Sequence, residues 1–252
     1  MRIHQWILYN LMHQLNFNKS ANTKFCGNAK LIGGQSIGQK LLDQERQSIQ
    51  LHLGIQLPVI HSELTQVLKS RAYTPEQVKA IAQSQTEKHR LATQIAYAAG
   101  LRAHELLTLQ PIKNRAASEH RQWSSQRFVG KKGEIYTVIG KGGLIREVLI
   151  PSELANILET KRLENPILIK DRTINYIQYY AIGGGKNWSN SFSAASKRLL
   201  GWSHGAHGLR HSYAQQRMNE LQQLGFLYPD ALAIVSQTLG HFRPEITEVY
   251  LR

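Results

Sequence analysis

The stretch HGLRHSYAQQRMNELQQLGFLYPDALAIVSQTLGHFRPEITEVYLR, His207–Arg252, decides the fold. It gathers a His-x-x-Arg pair (His207, Arg210), a Leu239-Gly240-His241 run and, nine residues past that histidine, Tyr250. His207 and Arg210 lie one helical turn apart at or near a helix start, so both can face one anion. Asp230 to Leu239 reads as a helix stopped by Gly240, which leaves His241 on the turn beyond. Pro244 and Glu245 then open a short helix bearing Tyr250.

These residue types share one chemistry. An arginine offers a planar fork of donors that matches two phosphate oxygens and stays charged at physiological pH. A histidine can donate to a phosphate oxygen or shuttle a proton near neutrality. A tyrosine hydroxyl is a weak nucleophile at its free pKa and attacks only where a base takes its proton or nearby cations favour phenolate. The set reads as covalent phosphoryl transfer without a metal. A zinc site built from His204, His207, His211 and His241 has chelating spacings, but no acid or cysteine completes it and Arg210 would repel a cation.

Upstream, AYAAGLRAHELLTL (residues 96–109) puts Arg102 just after a helix that carries Leu91 and Ile95 and runs out at Gly100. Glu105 is one turn further, where it can orient basic neighbours; taken alone, the two would be a surface ion pair. From Gln126 to Pro151 the pattern changes to strands. GEIYTVIG and LIREVLIP flank Lys141-Gly142-Gly143, a hairpin with Lys141 at its tip, and QRFVG before it predicts a third strand. The glycine clusters here and at Gly183–Gly185 do not complete Gly-x4-Gly-Lys-Ser/Thr, which excludes a P-loop ATP site.

Further helices are predicted after Ser152 (Leu154, Ile157, Leu158), over Thr173–Tyr180, and over Ser189–Leu200, stopped by Gly201. Tyr176, Tyr179 and Tyr180 read as core or groove wall. Tyr73-Thr74-Pro75-Glu76 marks a boundary, with Thr74 as helix cap and Pro75 at the first position. Ahead of it, Ile3, Ile7, Leu11 and Leu15 recur at helical spacing, as do Ile37 with Leu41 and Leu64 with Val67 and Leu68. The expected organisation is a short helical module over 1–72 and a larger domain over 73–252.

The charge says what such a site would act on. The 252 residues carry 31 Lys and Arg against 17 Asp and Glu, a net +14. Residues 1–72 hold 8 basic and 3 acidic residues, so both parts are basic, as two lobes closing on one duplex would be. Nucleic acid is the commonest reason for such a charge, because neutralised phosphates release counterions. No apolar run approaches a membrane span, and Met1–Asn10 lacks a signal-peptide layout. Cys26 is the only cysteine, which rules out an internal disulfide and a cysteine metal site. A reducing cytoplasm is the expected location.

Three pieces, taken in order, resemble the tyrosine recombinases or phage-type integrases: Gly100-Leu101-Arg102-x-x-Glu105-Leu106 their first conserved box, Gly140–Pro151 the hairpin that carries their lysine, and His207–Arg252 their second box. The resemblance covers residues 73 to 252. It implies an α+β fold, mostly helical with a small antiparallel β-sheet, plus a short helical amino-terminal DNA-binding module. It also implies roles: Tyr250 the nucleophile, Arg102 and Arg210 on the scissile phosphate, His241 and His207 donating to it, Lys141 protonating the leaving oxygen, His207 assisting proton transfer and Glu105 in support. No cofactor and no metal is implied. The partner is double-stranded DNA, bound by a homotetramer with accessory DNA-bending or directionality proteins, and the outcome is integration or excision of a mobile element. Relatedness to a type IB topoisomerase, to a DNA-binding protein of this fold without catalysis, and to a structural nucleoid protein are the competing readings.

This sequence departs from the pattern in three places. Leu144 stands where a second basic residue is common. The step from Arg210 to His241 is long, so that GFLYPD (residues 225–230) reads as part of an inserted loop. Only Leu251 and Arg252 follow Tyr250, where many relatives continue with a tail.

Overall fold

The computed structural model describes residues 70–251. The module expected over 1–72, with Cys26 and the helical spacings at Ile3–Leu15, Ile37–Leu41 and Leu64–Leu68, lies outside the described residues but for its last three positions.

Helix α1, Pro75–Gln83, starts where the sequence signals it. Thr74 accepts from the Gln77 amide at 3.3 Å while its own amide donates to the Gln77 side chain at 3.0 Å, a capping box with Pro75 next in line. Helix α2, Glu87–Ala99, buries Leu91, Ala92, Ile95, Ala96 and Ala99, the three-and-four spacing of a core-facing stripe.

A three-stranded antiparallel sheet follows: β1, Gln110–Pro111; β2, Glu134–Ile139; and β3, Ile145–Ile150, in the order β1-β2-β3. The register pairs Ile139 with Ile145 and Glu134 with Ile150, and Lys141–Gly143 forms the turn between β2 and β3. The expected third strand in QRFVG is not one. Ser125–Phe128 is a 3-10 turn, and β1 takes the sheet edge instead. Arg127 gives the reason: buried, it turns Nε to the Ser124 carbonyl at 3.0 Å and Nη2 to Glu147 at 2.7 Å, bonds that a tight turn permits and an extended strand does not. Pro111, lacking an N–H, is at home only on such an edge.

After helix α3, Ser152–Glu159, the chain makes a second, two-stranded sheet from β4, Arg162–Asp171, and β5, Ile174–Tyr180. This corrects the predicted helix at Thr173–Tyr180. In INYIQYY the more buried positions are Tyr176, Gln178 and Tyr180, a period of two, and β-branched and aromatic residues suit a pleated surface once β4 provides the ladder. Of the three tyrosines, Tyr180 is core; its hydroxyl meets Glu159 at 2.8 Å.

Helix α4, Gly185–Leu200, begins four residues ahead of the predicted Ser189 and ends at Gly201 as expected. Helices α5, Gly208–Gln223, and α6, Tyr228–Thr238, are joined by four residues, Leu224 to Leu227. The expected loop covers only the first half of GFLYPD: residues 225–227 lie in it, while Tyr228, Pro229 and Asp230 form the first turn of α6, with Pro229 where a missing N–H costs nothing. Helix α7, Pro244–Thr247, runs on into a 3-10 turn, Glu248–Leu251.

Two hydrophobic clusters result. One joins α1, α2, the three-stranded sheet, α3 and α4 around Ile81, Ile95, Leu106, Ile150 and Trp188. The other joins α5 and α6 around Tyr213, Met218, Val235 and Leu239, with Tyr250 at its edge. Among the described residues no helix is long and apolar enough to cross a membrane.

Candidate active site

The first piece of the site is the end of α2. Gly100 adopts φ +61°, and a β-carbon there would fall 2.6 Å from Cδ1 of Tyr213 on α5. Only glycine lets the two helices meet this closely while the chain turns left-handed. Arg102 follows on the turn, its amide donating to Glu105 Oε2 at 2.7 Å and its Nη1 to Oε1 at 3.1 Å. Its side chain keeps 23% of its surface, so it forms the open rim of the site.

Glu105 is wholly buried, and three guanidiniums surround it: Arg102 at 3.1 Å, Arg146 at 2.8 Å and Arg210 at 3.9 Å. Burial alone would raise its pKa, but Arg146, Arg210 and Arg102 together outweigh that and hold the carboxyl well below the usual range. The pair is thus no surface ion bridge. Glu105 is the anionic hub that lets several cations share one place.

Arg210, on the first turn of α5, has no exposed surface. Its Nη1 donates to the Gly100 carbonyl at 2.5 Å and its Nη2 to the Leu239 carbonyl, so one fork joins the first box to the end of α6. Nη2 also lies 3.2 Å from His241 Nε2. Burial and the nearby Arg102 pull its pKa down, Glu105 opposes them, and the group remains a cation at neutral pH.

His241 owes its position to how α6 stops. Its amide reaches the Ser236 carbonyl at 2.9 Å and that of Gly240 the Gln237 carbonyl at 2.8 Å, a Schellman pair with Gly240 at φ +73°. The ring then spans Arg210 on one side and Thr247 Oγ1, 3.2 Å from Nδ1, on the other. The next residue, Phe242, is left-handed at φ +54° and rests against Trp123 with ring centroids 4.7 Å apart.

Tyr250 closes the site. Its ring centroid is 5.1 Å from that of His241, 5.4 Å from His207 and 4.7 Å from His211, and the Arg210 guanidinium carbon is 5.7 Å away. At 9% exposure it lies over Arg210 like a lid. Burial, then Arg210, depresses the His241 pKa to about 2. Protein packed around the exposed His207 ring, then Arg210, depresses His207 in the same direction, and His211 falls to about 4 through burial and Arg71. All three are neutral at physiological pH, and the burial and cations that keep His207 neutral make it a weak proton acceptor until an anionic phosphate enters beside it.

The predicted residues Arg102, Glu105, Arg210, His207, His241 and Tyr250 therefore converge. Lys141 sits exposed at the turn of the β2–β3 hairpin, whose root Gly140 borders Glu105: a β-carbon there would be 3.4 Å from Oε1. His204 turns elsewhere, its amide on the Tyr73 hydroxyl at 2.7 Å and its ring on Trp202. Sequence reasoning missed Arg146, His211 as a neighbour of Tyr250, and Thr247. Arg146 was legible: in IREVLI it shares a face with Val148 and Ile150, and a cation facing a core demands a buried acid.

No protein-family model matches the sequence, and no curated protein matches it. Solved structures do match. The Tn1549 transposon integrase in complex with a circular intermediate DNA is similar at a TM-score of 0.50 and 13% identity, over 100% of this chain and 90% of that one. The XerA recombinase follows at 0.47 and 17%, over 85% and 71%. The XerH site-specific recombinase bound to a palindromic difH substrate stands at 0.46 and 17%, over 72% and 49%, so this chain spans about half of it. The chain has the tyrosine recombinase and integrase fold.

Proposed function

We propose that this chain is a site-specific DNA recombinase that cuts and rejoins strands through Tyr250. The observation that carries the reading is the convergence of Tyr250, Arg210, His207 and His241, from three separate segments, on one pocket beside Arg102 and Glu105. Arg102 and Arg210 hold the non-bridging oxygens of a scissile phosphate as charge develops there, and His241, whose Nε2 lies 3.2 Å from Arg210 Nη2, keeps that guanidinium in place. The Tyr250 oxygen forms a bond to phosphorus, giving up its proton to neutral His207. The bond from phosphorus to the 5′ oxygen breaks, and the Lys141 ammonium protonates that oxygen as it leaves. A 3′-phosphotyrosine and a 5′ hydroxyl remain. A 5′ hydroxyl from a second duplex reverses the steps and joins the exchanged strands, the energy of the phosphodiester having been kept in the adduct.

The substrate is double-stranded DNA at the ends of a mobile element, which the protein integrates or excises as a tetramer on two duplexes. The net +14 charge supports a phosphate-rich partner. The test starts by selecting duplexes from a random pool by binding to the full chain. Nicked versions are then incubated with the protein, with no metal added. A denaturant-resistant adduct that maps to Tyr250 and disappears in Tyr250→Phe, with binding retained, is the expected result. Binding without any adduct would sink the catalytic reading and leave a DNA-binding protein; relaxation of supercoils without exchange between sites would make it a topoisomerase.

A further inference from the structure

The groups that would grip a phosphate and the lysine that would protonate its leaving oxygen lie on separate elements. A three-residue turn does not by itself fix where an ammonium sits. Arg146 makes the connection. It stands on β3 opposite Val138, five residues beyond Lys141, and is 1% exposed. Its Nη2 donates to Glu105 Oε2 at 2.8 Å, its Nε approaches Oε1 at 3.4 Å, and its Nη1 donates to the Thr238 carbonyl at 2.7 Å. Its Cδ lies beneath the turn that leads to His241, since a β-carbon on Gly240 would come within 3.0 Å of it.

The hairpin is thus held to the pocket along both strands. On one side Gly140 borders Glu105; on the other Arg146 is bonded to it, and between them the Gly140 amide donates to the Leu144 carbonyl at 2.7 Å. A buried guanidinium is costly unless its donors are matched, and an apolar side chain of similar volume would fill the same space without that cost. What the charge adds is a fixed register between hairpin, first box and the end of α6.

We propose that Arg146 is a positioning residue that holds the β2–β3 hairpin in register with the phosphate pocket, so that Lys141 reaches the departing 5′ oxygen. This rests on the reading of Lys141 as proton donor, and the experiment separates the two. Cleavage is timed on the selected duplex and on a copy with sulfur in place of the bridging 5′ oxygen. A thiolate leaves without a proton, because a thiol's pKa of about 8.5 lies far below that of an alcohol.

The variants are Lys141→Ala, Arg146→Lys, and one glycine inserted between Gly140 and Lys141. The insertion leaves Arg146 and the pairing of Ile139 with Ile145 in place and moves Lys141 one residue further from Gly140, at the exposed turn, so the test survives an Arg146→Lys that does not fold. With oxygen, each variant is expected to slow by about 100-fold or more, the scale of one general acid. With sulfur, each returns to within several-fold of the wild type. If Lys141→Ala is restored by sulfur and a folded Arg146→Lys is not, or if the insertion cleaves the oxygen duplex at the wild-type rate, the role of Arg146 is overturned. If Lys141→Ala cleaves the oxygen duplex normally, or stays slow with sulfur, the reading of Lys141 itself falls.

Discussion

Nη2 of Arg210 lies 3.2 Å from Nε2 of His241, and since a guanidinium can only donate, the imidazole must accept. The proton is therefore assigned to Nδ1, which donates to Thr247. This tautomer makes the site sensitive to acid.

In the folded chain His241 titrates near 2 and His211 near 4, lowered first by burial and then by neighbouring arginines, whereas the unfolded chain takes up these protons near 6.5. Below that value the unfolded state binds protons that the folded state refuses. The stabilisation is complete above pH 6.5 and is lost progressively as pH falls toward the folded values. Glu105, depressed from 4.5, contributes stability of the same sign but lost only lower, so the interval from about pH 6.5 to about pH 5 reports the histidines. Thermal melts should show Tm falling across that interval, and His241→Asn should flatten the fall. A Tm that does not move there would mean the rings are protonated in the folded protein.

Glu105 has three guanidiniums and no exposed surface, so its removal should be costly well beyond one ion pair. Glu105→Gln keeps the shape but leaves Arg146 and Arg210 as buried cations without an anion. A loss of about 3–5 kcal/mol is expected, the usual effect of stripping one partner from a buried pair. Urea denaturation at neutral pH measures it. A loss of under about 1 kcal/mol, the size of a surface pair, would show that solvent already screens the cluster.

Much of this site could be read from the chain because its parts are local. Thr74-Pro75, Gly100, Gly201 and Gly240 each end or begin a helix by chemistry that acts within a few residues, and the nine-residue step from His241 to Tyr250 is one turn and one short helix. What was misread depends on partners far away in sequence. INYIQYY becomes a strand because residues 162–171 pair with it, and QRFVG becomes a turn because Arg127 reaches Glu147, twenty positions on. The hub is hidden for the same reason. Nothing beside Glu105 in the chain announces that Arg146, forty-one positions away, will arrive against it.

Gly100→Ala should disturb the site through the backbone. A methyl group there meets Tyr213 at 2.6 Å at a left-handed φ, and the carbonyl of that residue accepts from Arg210. A destabilisation of about 1–3 kcal/mol is expected, together with slower adduct formation. Gly142→Ala is the internal comparison: its φ is +76° but nothing lies within 4 Å, so strain acts alone and the cost should be about 1 kcal/mol. Equal losses in chemical denaturation would show that crowding against Tyr213 contributes nothing.

Tyr250 lies across Arg210, walled by three imidazoles, and its carbonyl accepts from Gln215 Nε2 at 3.2 Å. A phosphate cannot reach the buried guanidinium while the ring stays there, so binding of DNA at this pocket requires the segment from Pro244 to Leu251 to move off α5. The two states should differ in backbone protection. With the selected duplex bound to Tyr250→Phe, which cannot form an adduct, amide exchange should quicken across Pro244–Thr247 and Glu248–Leu251 and stay unchanged or slow in Gly208–Gln223, whose first turn carries Arg210. Protection of the terminal turn by DNA would mean the opposite: that the phosphate is met at the exposed rim by Arg102 while Arg210 acts from behind through Glu105, without touching it.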